Sequence, residues 1–261
     1  MHKCLNVVAF LFLLIGGTVG AFAQNNLQIA REYLASNDVL NAAPYVLAAV
    51  KEDPKNVEVL LLAGDVYNEL EKKDSALIFY QQAEKISDKP AIIRKVALAL
   101  SAVGQHKEAI SKINEAVDDD KKDVYNYLTL GQVYINADSL QKADIAIRRA
   151  QSINSEIADT YVALGDLYYA QKVYELAKMN YDEALTRNSE LLEPRIKLAL
   201  TNYKLANSGV DAETANEYFS ASLKAWDEVT QLDTNNAVAF FEKGKILFLS
   251  QKYLDAARSL Y

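Results

Sequence analysis

The sequence predicts an all-α protein built as a linear array of helix–turn–helix repeats, and three observations carry that prediction. Glycine and proline are scarce, at 9 and 4 of 261 residues, and 51% of the chain is hydrophobic, a balance that favours packed helix. One alanine recurs at Ala42, Ala76, Ala109, Ala143 and Ala177, with spacings of 34, 33, 34 and 34, and again at Ala256 after a gap. Other columns keep step with it. A second alanine follows seven residues later at Ala49, Ala83, Ala116, Ala150 and Ala184. A small residue precedes it by twelve at Ala30, Gly64, Ala97, Gly131, Gly165 and Gly244. An aromatic sits three past that small one at Tyr33, Tyr67, Tyr134 and Tyr168, with Leu100 in the same place.

The physical reason for these columns is packing. Residues three or four apart share one helix face, and small residues on that face let two helices approach while large ones fill the space beside them. A helical glycine costs about 1 kcal/mol against alanine. That cost recurs at Gly64, Gly131, Gly165 and Gly244, which makes sense if no side chain fits there. Gly104 is expected in a turn between helices and Gly209 in an inserted loop.

Taken in chain order, the first element is an address. Residues 1–23 read MHKCLNVVAFLFLLIGGTVGAFA: Lys3 in a short basic end, an apolar run from Leu5 to Ile15, then Ala21-Phe22-Ala23 as an A-x-A cleavage pattern. Cleavage after Ala23 makes the protein exported, in the periplasm or associated with the outer membrane. The alternative is an uncleaved inner-membrane anchor, because Leu5 to Ala23 is nearly long enough to span a bilayer. Cys4 lies in this segment, so the mature chain has no thiol for a disulfide, a metal or a nucleophile.

Residues 24–261 then divide into units at about 24–56, 57–89, 90–123, 124–157, 158–191, 192–236 and 237–261. Pro44 stands inside the second helix of the first unit, which is expected to start late to tolerate it. Pro54 falls where one unit passes to the next. The unit 192–236 carries extra residues around NSGVDAET (207–214), and a longer second helix is expected from near Asp211, its N-cap. There Trp226 takes the place of Tyr80 and Tyr181, while Ser222 and Val229 replace the two alanines. The last unit is truncated at Tyr261, in the middle of its second helix, which suggests a fragment of a longer chain.

This pattern resembles the tetratricopeptide repeat. LLLAGDVY (60–67) with Ala76, Tyr80 and Ala83, YLTLGQVY (127–134) with Ala143, Ile147 and Ala150, and YVALGDLY (161–168) with Ala177, Tyr181 and Ala184 carry the likeness. The resemblance covers essentially the whole mature chain. It implies a right-handed superhelical solenoid whose first helices line a concave groove, and a protein–protein interaction scaffold that holds a peptide or partner subunit there. Candidate groove residues, on first-helix positions facing away from the Gly64–Tyr67 packing side, are Arg31, Glu58, Asp65, Asn68, Arg94, Tyr125, Gln132, Asn136, Asp159, Asp166 and Tyr169. A partner bearing Lys or Arg is expected near Asp65 and Asp166. Some members of the family bind acidic chaperone tails through groove lysines. Leu27, Leu61, Leu128, Val162 and Ile196 occupy that column here, with only Arg94 basic, so that activity is not expected.

The remaining classes are set aside on composition and motif. A formal charge of −7 argues against nucleic acid. The mature chain has one histidine, His106, and no phosphate-binding glycine loop, so no catalytic residue, metal site, cofactor or small-molecule substrate is expected. The run from Asp118 to Asp123 lacks the glycine and the distal glutamate of a calcium loop and reads as a linker. Membrane contact is expected only if residues 1–23 stay attached. A second functional reading makes this the N-terminal repeat region of a longer enzyme or signalling protein whose activity lies beyond residue 261.

Overall fold

The computed structural model describes residues 25–249. The expected signal segment and the second helix of the last unit lie outside them. Among the described residues the chain is all-α: α1 (25–35), α2 (Val39–Glu52), α3 (Val57–Glu69), α4 (Lys73–Glu84), α5 (Pro90–Ala102), α6 (His106–Asp119), α7 (Val124–Asn136), α8 (Leu140–Ile153), α9 (Ala158–Ala170), α10 (Tyr174–Arg187), α11 (Leu192–Ala206), α12 (Ala212–Leu232) and α13 (Ala237–Leu249).

Local chemistry sets the helix ends. Asn56 accepts hydrogen bonds from the N–H groups of Glu58 and Val59, Asp123 from that of Tyr125, and Asp211 from those of Glu213 and Thr214, so side-chain oxygens satisfy donors that the first helical turn leaves open. The turns within repeats share one device. Asn37, Glu71, Gly104, Asp138 and Lys172 all adopt the left-handed conformation. The next residue's N–H then reaches back to the carbonyl of the aromatic column: Asp38 to Tyr33, Lys72 to Tyr67, Gln105 to Leu100, Ser139 to Tyr134 and Val173 to Tyr168, each at 2.9 Å.

The chain forms two compact units, one up to Ala116 and one from Val117. In the first, α3 packs on α2 and α4, and α4 on α5. In the second, α9 packs on α7, α8 and α10, α10 also on α11, and α12 on α11 and α13. Both alanine columns, from Ala42 to Ala177 and from Ala49 to Ala184, are at most 1% exposed. The glycine column is explained directly. A Cβ on Gly64 would stand 2.2 Å from Tyr80 Cε1, on Gly165 2.3 Å from Tyr181 Cε1, and on Gly131 2.5 Å from Ile147 Cγ1. In these three repeats the second helix therefore drops a large side chain onto a bare first-helix backbone.

The exceptional unit keeps this logic with other residues. Ser222, Trp226 and Val229 are buried, and the Ser222 hydroxyl donates to the Ala199 carbonyl at 2.8 Å, satisfying the one polar atom that the alanine column lacked. The late start expected for α2 is corrected. The helix begins at Val39, and Pro44 is its sixth residue. Pro44 is exposed and Leu40 strongly so, which puts the turn whose carbonyl loses its partner on the solvent side, open to water.

Candidate functional site on the first helices

The outward positions of the first helices fall into columns counted from the small residue. One past it come Arg31, Asp65, Gln132 and Asp166; six before it come Glu58, Tyr125 and Asp159, joined by Glu193 in α11. In the first unit, Arg31 of α1 pairs with Glu58 of α3. Asp65 is engaged by its own chain: the Tyr80 hydroxyl of α4 donates to Asp65 Oδ1 at 2.6 Å, and Lys95 Nζ of α5 reaches the same oxygen at 2.5 Å. The Lys95 ammonium also lies 5.4 Å from the centre of the Tyr80 ring. Glu69, one turn along α3, has its carboxyl pushed up by burial and by the Asp65 charge. Asn68 is exposed and Arg94 is half-buried.

The second unit repeats the arrangement. The Tyr181 hydroxyl of α10 donates to Asp166 Oδ1 at 2.7 Å, and Lys197 Nζ of α11 bonds the other oxygen, Oδ2, at 2.5 Å. Lys197 also pairs with Glu193 at 2.7 Å. Burial raises the Asp166 pKa, against the pull of Lys197 and Tyr181. Burial opposes the Lys197 ammonium too, but Asp166 and Glu193 outweigh it and hold its pKa above the usual lysine range. Asp159 is pushed up by burial and by the charge of Glu193. Gln132 donates to Asn136 at 3.0 Å along α7, and the Tyr169 ring meets that of Tyr174 edge-on at 5.3 Å. Tyr125 is 46% exposed.

The cation expected at Asp65 and Asp166 thus comes from within the chain rather than from a partner. Sequence reasoning passed over Lys95, Lys197, Glu193 and the hydroxyls of Tyr80 and Tyr181. A signal was present. The column two before the small residue reads Leu62, Lys95, Thr129, Ala163, Lys197, so its lysines fall in the repeats that follow Asp65 and Asp166. The column of Leu61, Arg94, Leu128, Val162 and Ile196 lies one position before it.

Profiles of the tetratricopeptide repeat family match residues 27–90, 124–157 and 158–191. These segments are tetratricopeptide repeats. Among curated proteins, the chain is 24% identical over 169 residues to Protein CTR9 homolog of Arabidopsis thaliana, covering 60% of this chain and 15% of that one. It is 32% identical over 104 residues to the formate-dependent nitrite reductase complex bifunctional subunit NrfFG of Haemophilus influenzae, covering 38% of this chain and 27% of that one. The chain therefore spans less than a third of the length of these two relatives. The fold is similar to that of a thermophilic tetratricopeptide repeat protein of Thermus thermophilus, with a TM-score of 0.61 and 17% identity, covering 74% of this chain and 99% of that one.

Proposed function

We propose that this tetratricopeptide array is a non-catalytic scaffold of the cell envelope that holds a peptide or partner subunit along its first helices. The observation that carries the reading is the charge imbalance on α9 and α11. Two carboxylates, Asp166 and Glu193, share the single ammonium of Lys197, while burial and the nearby Glu193 charge raise the pKa of a third, Asp159. A lysine or arginine side chain of a partner relieves that imbalance at Asp159, where no cation from among the described residues is in place. Tyr125, in the same column, adds contact area at low entropy cost. The envelope location is supported by the order of residues 1–23.

The test is selection of random peptides on the chain and on an Asp159→Lys, Tyr125→Ala variant of equal helicity. Enrichment of Lys- or Arg-bearing peptides on the wild type, lost on the variant, supports the reading; neutral or acidic peptides retained equally by both sink it. Fractionation of cells expressing the full chain with a C-terminal tag tests the location, and recovery in the cytoplasm would overturn it.

The length of the relatives favours a second reading, in which this repeat region serves a longer protein whose activity lies elsewhere. Sequencing the reading frame beyond residue 261 separates the two: a stop within a repeat or so fits the scaffold, and a non-repeat domain fits the longer protein.

A further inference from the structure

The two Tyr–Asp–Lys clusters hold helices from successive repeats on one carboxylate. In the second unit Asp166 belongs to the first helix of a repeat, Tyr181 to the second helix of that repeat, and Lys197 to the first helix of the next. Tyrosine and lysine take different oxygens of Asp166, so neither displaces the other. The side chains of Asp166 and Lys197 are 17% and 25% exposed, which limits screening by water and salt.

Packing alone does not call for these groups. Ile147 fills against Gly131 the space that Tyr181 fills against Gly165, without a hydroxyl. In that repeat the aspartate position is Gln132 and the lysine position of the next repeat is Ala163. In the repeat of α1 and α2 the three positions are Arg31, Val46 and Leu62. In these repeats all three members are missing together. The junction from α7 and α8 to α9 is closed by an apolar cluster that includes Leu128, Ile147, Ala163, Leu164 and Leu167, with Arg148 of α8 donating to the Tyr168 hydroxyl of α9 at 3.4 Å and, among the described residues, no aspartate joining the two repeats there.

We propose that the Tyr–Asp–Lys network is a latch that makes one repeat and the next open as a single cooperative unit, so that the array contains junctions with this latch and junctions without it. Repeat proteins derive their stability from interfaces between neighbours, and whichever interface is weaker decides where local opening starts. A carboxylate that orders a hydroxyl on one side and an ammonium on the other transmits the loss of either neighbour to the remaining one. The groups facing Asp166 are Tyr181 from α10, and Lys197 and Glu193 from α11.

Hydrogen exchange read by mass spectrometry on the full chain tests this, with Tyr181→Phe, Lys197→Met and the double variant. Phenylalanine keeps the ring against Gly165, so that variant separates the hydroxyl from the packing. The expected result is that Lys197→Met speeds exchange in α11 and α12 by about tenfold or more, the loss of a charge-assisted bond. Tyr181→Phe shifts the same helices in the same direction, α7 and α8 keep wild-type rates, and the double variant exchanges little faster than Lys197→Met alone, because both act through Asp166. Fully additive effects, or equal acceleration from α7 to α12, would overturn the latch and leave the cluster as independent surface contacts.

Discussion

The two units carry the same three residues in the same places, yet the clusters differ. Around Asp166 the hydroxyl and the ammonium divide the two oxygens, Glu193 braces the lysine, and the pair is largely covered. Around Asp65 both donors converge on Oδ1, and the side chains of Asp65 and Lys95 are 40% and 39% exposed. Burial therefore, rather than residue identity, decides how much such a network stabilises. A half-exposed ion pair competes with water and gains about 0–1 kcal/mol, whereas breaking a covered one strands a charge.

The largest test of this comparison acts on the ring beneath each network. Gly64→Ala and Gly165→Ala each drive a Cβ into a tyrosine, at 2.2 and 2.3 Å. Each is expected to cost about 2–3 kcal/mol in urea denaturation, with nearly equal packing penalties. The excess at Gly165 measures the deeper network, and equal losses would mean that the hydroxyl contributes alike at both sites.

Removing the ammonium sharpens the contrast. Lys197→Met leaves Asp166 covered and without its cation and is expected to cost about 2–3 kcal/mol, against less than about 1 kcal/mol for Lys95→Met. Similar urea midpoints for the two variants would break the argument from burial. Removal of the hydroxyl comes next: Tyr181→Phe should lose about 1–2 kcal/mol and Tyr80→Phe less.

The pH dependence reports on the crowded carboxylates of the second unit. Asp159 has a folded pKa raised above its ordinary value of 3.8, by burial and then by Glu193. The native state thus keeps this proton where the unfolded chain has lost it. Its stabilising contribution is full below the ordinary value and is lost as pH rises through the raised one. Relative to Asp159→Asn, the wild type should lose stability on going from about pH 3.8 upward through that window. A difference that does not change with pH would remove the carboxylate imbalance on which the proposed partner chemistry rests.

The smallest effect concerns the turns. Glu71 in one unit and Lys172 in the other hold left-handed φ angles of 57° and 63° where Gly104 does so without strain. Glu71→Gly and Lys172→Gly should each raise stability by about 0.5–1 kcal/mol in thermal melts, with equal gains because both turns are built alike.

Much of this was legible before any fold was known. The periodic alanines mark buried helix faces, and the helical glycines mark places where a backbone must meet a large side chain, because a repeated packing problem leaves a repeated residue. Asp211 was readable as a cap because its side chain acts on its own next turn. Pro44 was not, because the rule for proline concerns the carbonyl one turn back, and whether that carbonyl reaches water depends on which face the rest of the fold leaves open. The candidate site was half legible. Asp65 and Asp166 stand out in the sequence, but their partners lie 15 and about 30 residues away, beyond any within-helix spacing.

The sequence by itself thus determined the repeat, its period, the Asp211 cap and the tight glycine contacts, since each follows from residues within one turn or one cycle of each other. The tertiary structure alone decided which charges meet and how far water reaches them. Those quantities depend on three helices converging at one carboxylate, and the energy of a charge pair is set by its burial as much as by its chemistry.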